Sequence, residues 1–424
     1  MYLKKKTNLL FYLIVIWNAL LIFFLVEFGS VINKEPTLLR LLTATKGGKY
    51  YELGNLFGKL SKPNEKYFVF SPEETDGAID NFNRLTKYWP NTFALGYTKA
   101  LSAPAFDNSG EYDNMKGNIR CVQILYEEVV QIICRKDAQI RHPIDLTNRD
   151  NLRVYIGMKK SGTRFTVKTL FKACGLNKSE VAKVIDRYDK YSNFSYSEAA
   201  EKIIAGELDV VVFEAGLPTK AASDLLPEYK EKLELLSIDD EDFIKKVKKD
   251  SENMYGVFSG FQITEQDIKG DRYWTNDFKS ISSYVMLATH KTFEPEIVYK
   301  ILDFINNEYF SKIKEVIPNL QDVSSSNYRE EIINKFDIKE HVGVKRYLSS
   351  YWPILYKIKE KMPYFLIAFL SAIFLLQLYL SLNIAMSNPD SEIPFRPELW
   401  KVVWPPLISG IIAVILKMLD VFSY

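Results

Sequence analysis

Three short segments combine small residues, hydroxyls and charge at spacings that suit the capture of a small ligand. The first is Thr43-Ala44-Thr45-Lys46-Gly47-Gly48-Lys49-Tyr50-Tyr51. Its paired glycines let the backbone approach a ligand closely, and hydroxyls and amide N–H groups would line it. Taken alone, it reads equally as a tight turn. The second is Thr75-Asp76-Gly77-Ala78-Ile79-Asp80-Asn81, where Thr75 or Asp76 is placed to cap a helix. The third, Gly157-Met158-Lys159-Lys160-Ser161-Gly162-Thr163-Arg164, has nearly the spacing of a phosphate loop. Thr163 stands where the phosphate-gripping lysine belongs, and Arg164 where the magnesium-binding hydroxyl belongs, so nucleotide hydrolysis loses both groups. The backbone physics survives that loss. A helix N-terminus offers unpaired N–H groups and partial positive charge to a carboxylate or phosphate, with Ser161, Thr163 and Arg164 as added donors. Ser161 stands equally as an N-cap and as a ligand contact.

No catalytic set emerges from the remaining chemistry-bearing residues, and an enzyme is not expected. His142, His290 and His341 are scattered without metal-ligand spacing, so neither a metal nor another cofactor is expected. Nucleophile-elbow and His/Cys signatures are missing. Glu127 and Glu128 are adjacent, and on a strand they would point to opposite faces, which makes them poor acid–base partners. Cys121, Cys134 and Cys174 form no CxxC pair. A Cys121–Cys134 disulfide suits an oxidising compartment, but three small buried residues is the preferred reading.

These loops need strands before them and helices after them. Apolar runs of strand length occur at Leu38–Leu42, Val129–Cys134, Leu152–Ile156, Val210–Phe213 and Tyr284–Ala288. Helical period places Leu53, Leu56, Phe57 and Leu60 on one face, and Val167, Leu170, Phe171 and Cys174 on another, with Gly175 as a stop. Alternating strands and helices predict an α/β fold with parallel-rich sheets and helices on both faces. The roughly 310 residues involved are more than one such core usually holds, so two lobes are expected. The acidic run at Asp239–Asp242 lacks the alternation of a calcium loop and reads as a solvated loop or helix start. Across 424 residues, 55 Lys+Arg nearly balance 53 Asp+Glu; that is not the basic excess of a nucleic-acid binder.

Three further stretches are apolar. Leu9 to Val26 follows Lys4, Lys5 and Lys6, and reads as an uncleaved signal anchor with its N-terminus in the cytoplasm. Tyr364 to Leu382 is long enough to span a bilayer, whereas Val402 to Met418 is shorter and interrupted by Pro405 and Pro406. The aromatic, basic stretch from Tyr347 to Lys357 suits a membrane interface.

Taken in order, the loops resemble the TAXI family of solute receptors that serve TRAP transporters. The family's opening T-G-[ST]-x-G-G-T-Y-Y-x-x-G is matched by residues 43–51 with Gly54 in register, and its T-x-G-S-x-E-N by residues 75–81. Ile140 to Leu146 is similar to I-x-x-x-x-D-L, and Gly157 to Thr163 to G-x-x-G-S-G-T. Ala199 to Asp209, Phe213 and Gly216-Leu217-Pro218 resemble the second-lobe helix, strand and G-x-P. His341 to Tyr347 resembles H-P-G-A-x-x-Y. The likeness covers residues 41–347. Ala44, Lys49, Ala78 and Lys160 depart from the pattern, exchanging small or hydroxyl positions for others.

The resemblance implies a two-lobed type II periplasmic-binding-protein fold, to which the apolar stretches add flanking transmembrane helices. The chain would then carry a membrane anchor over 1–32 and lobe 1 over 33–139, with lobe 2 over 140–278 and a return to lobe 1 over 279–346. An interfacial segment would follow at 347–362, a transmembrane helix at 363–383, a short loop at 384–400 and a second apolar segment at 401–420. The implied ligand-binding set is Thr43, Thr45, Lys46, Gly47, Gly48, Tyr50, Gly77 and Asn81 from lobe 1. From lobe 2 it is Ser161, Gly162, Thr163, Arg164, Phe213 and Gly216. The implied function is capture of a small anionic solute, a dicarboxylate or glutamate-like amino acid, outside the cytoplasm. A TRAP-type membrane permease subunit would be the partner. The alternative is a membrane-anchored sensor or partner-docking protein that uses the same fold without transport.

Overall fold

The structure, a computed structural model, describes residues 35–62, 67–87, 90–98, 101, 115–217, 229, 231–238, 240–252, 259–263, 278–321, 326–335 and 338–349. The three apolar segments expected to anchor the chain lie outside them, as does Pro218. No helix among the described residues is long and apolar enough to cross a membrane. The described residues belong almost entirely to one compact unit, Pro36–Leu348.

Among its described residues, that unit is built on a mixed sheet of nine strands. They are β1 (Thr37–Leu42), β2 (Phe68–Glu73), β3 (Thr92–Tyr97), β4 (Ile119–Arg135), β5 (Val154–Tyr155), β6 (Val210–Gly216), β7 (Leu233–Leu235), β8 (Ser259–Ile263) and β9 (Phe278–His290). The order is β2-β1-β3-β9-β4-β6-β5, with β7 beside β4 and β8 beside β9. The helices used below are α1 (Lys49–Ser61), α2 (Ala78–Thr86), α3 (Gly162–Ala173), α4 (Lys178–Tyr188), α5 (Tyr196–Ile204), α6 (Glu241–Glu252), α7 (Pro295–Asp303), α8 (Phe310–Val316), α9 (Ser326–Lys335) and α10 (Val342–Leu348).

The expectation of parallel-rich pairing needs correction. Only β1–β2, β1–β3 and β5–β6 run parallel among the described strands. β3–β9, β4–β9, β4–β6, β4–β7 and β8–β9 are antiparallel. Hydrophobic period reports that a strand is buried, not which way it runs. The long strands β4 and β9 carry the chain in opposite directions through the middle of the sheet, and their pairing is what the period could not reveal.

Apolar packing divides along these two strands. One core gathers Leu39, Leu41, Phe57, Phe70, Phe82, Phe93, Leu125, Leu287 and Ile301, around β1–β3, the first part of β4, the second part of β9 and their helices. Two others form on opposite faces of the rest of β4 with β5 and β6. Val130, Ile132, Val154, Val210 and Val212 pack with Val167, Phe171 and Val184 from α3 and α4. Val129, Ile133, Tyr155, Val211 and Phe213 pack with Ala199 and Ile203 of α5. The alternation along β4, β5 and β6 follows from the two-residue period of a strand. Large aromatic rings meet edge to face in the first core, as with Phe57 on Phe304 (5.8 Å) and Phe93 on Phe293 (4.7 Å).

Local signals account for the helix ends. Asn177 and Ser195 each form a reciprocal capping box, with Glu180 and Glu198, at the starts of α4 and α5. Asp240 accepts from the N–H groups of Asp242 and Phe243, so the acidic run starts α6. Gly175, at φ +96°, ends the α3 region. The cysteines are free; Cys121 and Cys134 are buried and Cys174 is half-buried, at the end of α3 rather than inside a core.

Candidate functional site

The loop from β1 to α1, the loop from β2 to α2 and the loop from β5 to α3 meet at one cavity. The space between them free of atoms, about 470 Å³, includes open solvent at its mouth. From the first core come Ala44, Thr45, Gly48, Lys49 and Tyr50, then Asp76, Gly77 and Ala78, and Tyr97 at the end of β3. From the other side come Tyr155, Met158, Ser161, Gly162 and Thr163, with Tyr196 and Glu214. Glu128 of β4 completes the wall.

Of the residues expected from sequence, Thr45, Gly48, Tyr50, Gly77, Ser161, Gly162 and Thr163 line this cavity. Gly48 starts α1 and Gly77 starts α2, neither with a side-chain cap, so the first N–H groups of those helices are left to other partners. Gly77 sits at φ +118°, where an L side chain is strained, and its α-carbon faces Ser161 across the cleft. Ser161 does cap α3: its Oγ accepts from the Arg164 N–H at 3.2 Å while it lines the cavity. Thr163 Oγ1 and Tyr196 Oη are 2.5 Å apart.

Seven others are placed elsewhere, each for a physical reason. Thr43 is buried; its hydroxyl donates to the Glu73 carbonyl at 2.9 Å. Its own carbonyl accepts from Thr75 Oγ1 and from Asn81 Nδ2 (2.9 and 2.6 Å). Asn81 also donates to the Leu95 carbonyl at 2.7 Å, so its amide ties the ends of β1 and β3 to α2 rather than facing a ligand. Arg164 is buried. Its Nε donates to the Gly157 carbonyl at 3.1 Å and its Nη1 pairs with Asp189, away from the cavity. Phe213 lies on the α5 face of β6 with Tyr155 and Tyr196. Gly216 leaves room for the Tyr126 ring, which a Cβ there would meet at 2.5 Å. Gly47, at φ +84°, packs on Ser197, and Lys46 is exposed.

Sequence reasoning passed over the charged and aromatic lining. Glu128 is 3% exposed and Glu214 5%. Tyr50 Oη donates to Glu128 Oε2 at 2.8 Å, Thr166 Oγ1 to Glu214 Oε2 at 2.5 Å, and Ser283 Oγ to Glu214 Oε1 at 3.3 Å. Burial, followed by the charge of Glu128, raises the Tyr50 phenol well above its ordinary value. Burial, followed by Glu214 and Glu128, does the same for Tyr97. Burial foremost raises Tyr155 and Tyr196 as well. All four phenols therefore stay neutral at physiological pH. Lys49 lines the cavity with its stem, while its Nζ donates to Glu52 Oε2 (2.9 Å) and to the Val316 carbonyl (3.2 Å). A carboxylate inside an otherwise apolar strand is the available signal for Glu214; Glu128, beside Glu127 in the mixed β4, carries no such signal.

Residues 41–349 match the NMT1-like family. The chain belongs to that family. Several solved structures are similar to it at low identity. A periplasmic transporter is 12% identical, covering 71% of this chain and 94% of its own, with a TM-score of 0.44. MatC from Rhodopseudomonas palustris with bound malate is 12% identical over 75% and 99%, at 0.45. An R. palustris protein with adipate is 15% identical over 72% and 100%, at 0.40. In this NMT1-like chain the matched span begins at β1 and ends just past α10, so it contains every residue of the cavity.

Proposed function

We propose that this chain is an extracytoplasmic solute-binding receptor, and that it holds a small solute bearing an anionic group in the cavity between its packing cores. The observation that carries this is the convergence of the α1, α2 and α3 N-termini on one enclosed space lined from both sides. Helix N-termini favour negative charge through their unpaired N–H groups and partial positive charge, and Thr45, Ser161 and Thr163 surround that space with hydroxyls. Lobe 1 over 33–139 and 279–346 and lobe 2 over 140–278 serve as the jaws, and Thr45, Gly48, Tyr50, Gly77 and Ser161 to Thr163 as contacts. Delivery to a TRAP-type permease of the TAXI kind, and anchoring through the apolar termini, belong to the same proposal. They rest on the ordered loop motifs and on the apolar runs.

The test is thermal unfolding of the full-length protein against a panel of small carboxylates, amino acids and phosphates. A ligand held by the native state alone stabilises by about 2.7 kcal/mol at 100 times its dissociation constant. The expected result is a raised midpoint with one compound class, abolished by Thr45→Trp, which fills the cavity. A midpoint unmoved by every compound, or a shift that survives Thr45→Trp, would overturn the reading.

A further inference from the structure

Two hydroxyls at the start of α3, those of Ser161 and Thr163, line the cavity. Sequence alone reads both as donors, but their hydrogen bonds give them opposite polarity. Ser161 Oγ accepts from the Arg164 N–H at 3.2 Å, and among the described residues nothing receives the Ser161 proton, which is left for a ligand. Thr163 Oγ1 lies 2.5 Å from Tyr196 Oη, a contact in which either hydroxyl could donate. The other bonds of Tyr196 decide between them. Its Oη accepts from the Glu214 N–H at 3.2 Å and meets the Glu214 carbonyl at 3.0 Å. A carbonyl oxygen only accepts, so the one proton of the phenol belongs on that second bond. Burial foremost raises this phenol, so the proton is present at physiological pH. The contact at 2.5 Å is then a hydrogen bond only if Thr163 donates it. Thr163 Oγ1 keeps its lone pairs and has no proton left to offer.

The fold holds this arrangement in place. β5 pairs with β6 only as far as Tyr155 opposite Val211. Beyond that point, the Glu214 N–H and carbonyl meet the Tyr196 oxygen where a neighbouring strand would otherwise run. Tyr196 is the first residue of α5 after the Ser195 cap, and its ring packs on Phe213 at 4.6 Å and on Tyr155 at 6.3 Å. Its oxygen cannot turn to a ligand without giving up two backbone bonds. The start of α3 thus offers the cavity one donor, Ser161, and one acceptor, Thr163. A carboxylate accepts and never donates, so it satisfies the first and sets lone pairs against lone pairs at the second. Thr163 is buried, and a buried polar atom left without its partner costs more than the bond itself contributes. A site built in this way rejects an analogue that lacks the matching hydroxyl.

We infer that Tyr196 is a positioning residue of the site: by taking the Thr163 proton it makes residue 163 an acceptor, which reads a hydroxyl carried by the solute beside its anionic group. This rests on the receptor reading and narrows its solute to a hydroxy acid, with the carboxylate at the helix N-termini and Ser161 and the hydroxyl at Thr163.

The experiment is calorimetric titration of the full-length protein with matched pairs: malate against succinate, lactate against propionate, and 3-hydroxybutyrate against butyrate. The hydroxyl-bearing member of at least one pair should bind at least about tenfold tighter than its counterpart. Tyr196→Phe removes the acceptor that holds the Thr163 proton, so Thr163 can donate to either member. The ratio should then collapse to about twofold or less, with the affinity of the hydroxyl-free acid kept or raised. A merely structural role for Tyr196 would weaken both members alike and leave the ratio standing. Thr163→Val, close in volume, removes the acceptor with Tyr196 in place. It should collapse the ratio as well, and it carries the test if Tyr196→Phe does not fold. Thr163→Ser retains the hydroxyl and should keep the preference. Equal binding within every pair, or a folded Tyr196→Phe or Thr163→Val that keeps the preference, would overturn the inference while the bound acids leave the receptor standing. Absence of binding by all six acids would overturn it too, and the wider panel of the receptor test then decides whether the receptor falls with it.

Discussion

Arg164 directly follows the cavity-lining Thr163, yet its guanidinium turns back into the protein, to the Gly157 carbonyl and Asp189. Its work is to hold the third loop in shape, since Gly157, at φ +82°, is the first residue of that loop. Arg164→Met should therefore lower the free energy of unfolding by about 2 kcal/mol, because the Gly157 carbonyl and the half-buried Asp189 carboxylate lose a charged donor, while ligand affinity of the folded fraction changes less than threefold. Denaturant titration and calorimetry separate the two; a large loss of affinity at unchanged stability would return Arg164 to the binding set. The same scale shows what the sequence made legible. Gly-rich loops announce themselves by composition, so seven of the expected residues fell on the cavity. Composition does not tell where Arg164 and Asn81 turn, because a side chain's direction is decided by partners distant in sequence, Asp189 and Leu95. Glu128 escaped because adjacency to Glu127 framed it as a failed pair, when its neighbour in space is Glu214.

Among the elements, β4 does most to set the site. Only its Val129–Cys134 portion was readable as a strand, because Arg120, Gln123 and Glu127 interrupt the apolar run before it. The strand in fact covers 17 residues, with register shifts against β9 near Cys121 and Ile124. Those interruptions have partners: Gln123 Nε2 donates to Asn306 Oδ1 and to the Gln321 carbonyl, both at 2.9 Å. At the same end of β4, the Cys121 carbonyl accepts from the His341 N–H at 2.9 Å. The His341 ring in turn accepts from the Gly343 N–H at 3.1 Å and starts α10. His341 is 1% exposed, and burial, aided by the charges of Arg120 and Arg346, holds its imidazole down to about 4 despite an opposing backbone hydrogen bond. The native state thus prefers the neutral ring. Its contribution is complete above the unfolded-state value near 6.5 and is lost as pH falls from there toward 4, on the order of 3 kcal/mol in all. His341→Asn keeps an acceptor for Gly343 and cannot titrate. Chemical denaturation at pH 7, 5.5 and 4 should show a shallower loss in that variant than in the parent; parallel curves would rule the histidine out as the acid-sensitive group.

For the molecule as a whole, the closeness of the two sides of the cleft carries the consequence. The Asp80 N–H reaches the Lys160 carbonyl at 3.4 Å, Gly77 rests on Ser161, and Gly162 lies against Tyr97. These contacts join segments whose own apolar side chains pack in different cores, so in the receptor proposed above they belong to the shut state. In that proposal the chain passes between the jaws along β4 and β9, and those strands would absorb a change of angle. A ligand touching both walls favours the shut state by its differential affinity for it. The weak point is Gly162, where a Cβ would lie 1.9 Å from Tyr97 Cε1 and 2.6 Å from Cζ. A ring buried at the end of β3 cannot yield by that much, so Gly162→Ala should part the two sides of the cleft while the cores stay packed. The expected result is a radius of gyration, by small-angle scattering of the full-length protein with saturating ligand, that contracts for the parent and stays at its ligand-free value for Gly162→Ala. Affinity should fall about tenfold or more, the equivalent of roughly 1.4 kcal/mol of lost closure, with the ligand-free unfolding midpoint nearly unchanged. Contraction of the variant to the parent's value with full affinity would show that shutting the cleft does not depend on the bare backbone at residue 162, and would move the closing contact to the Gly77–Ser161 side.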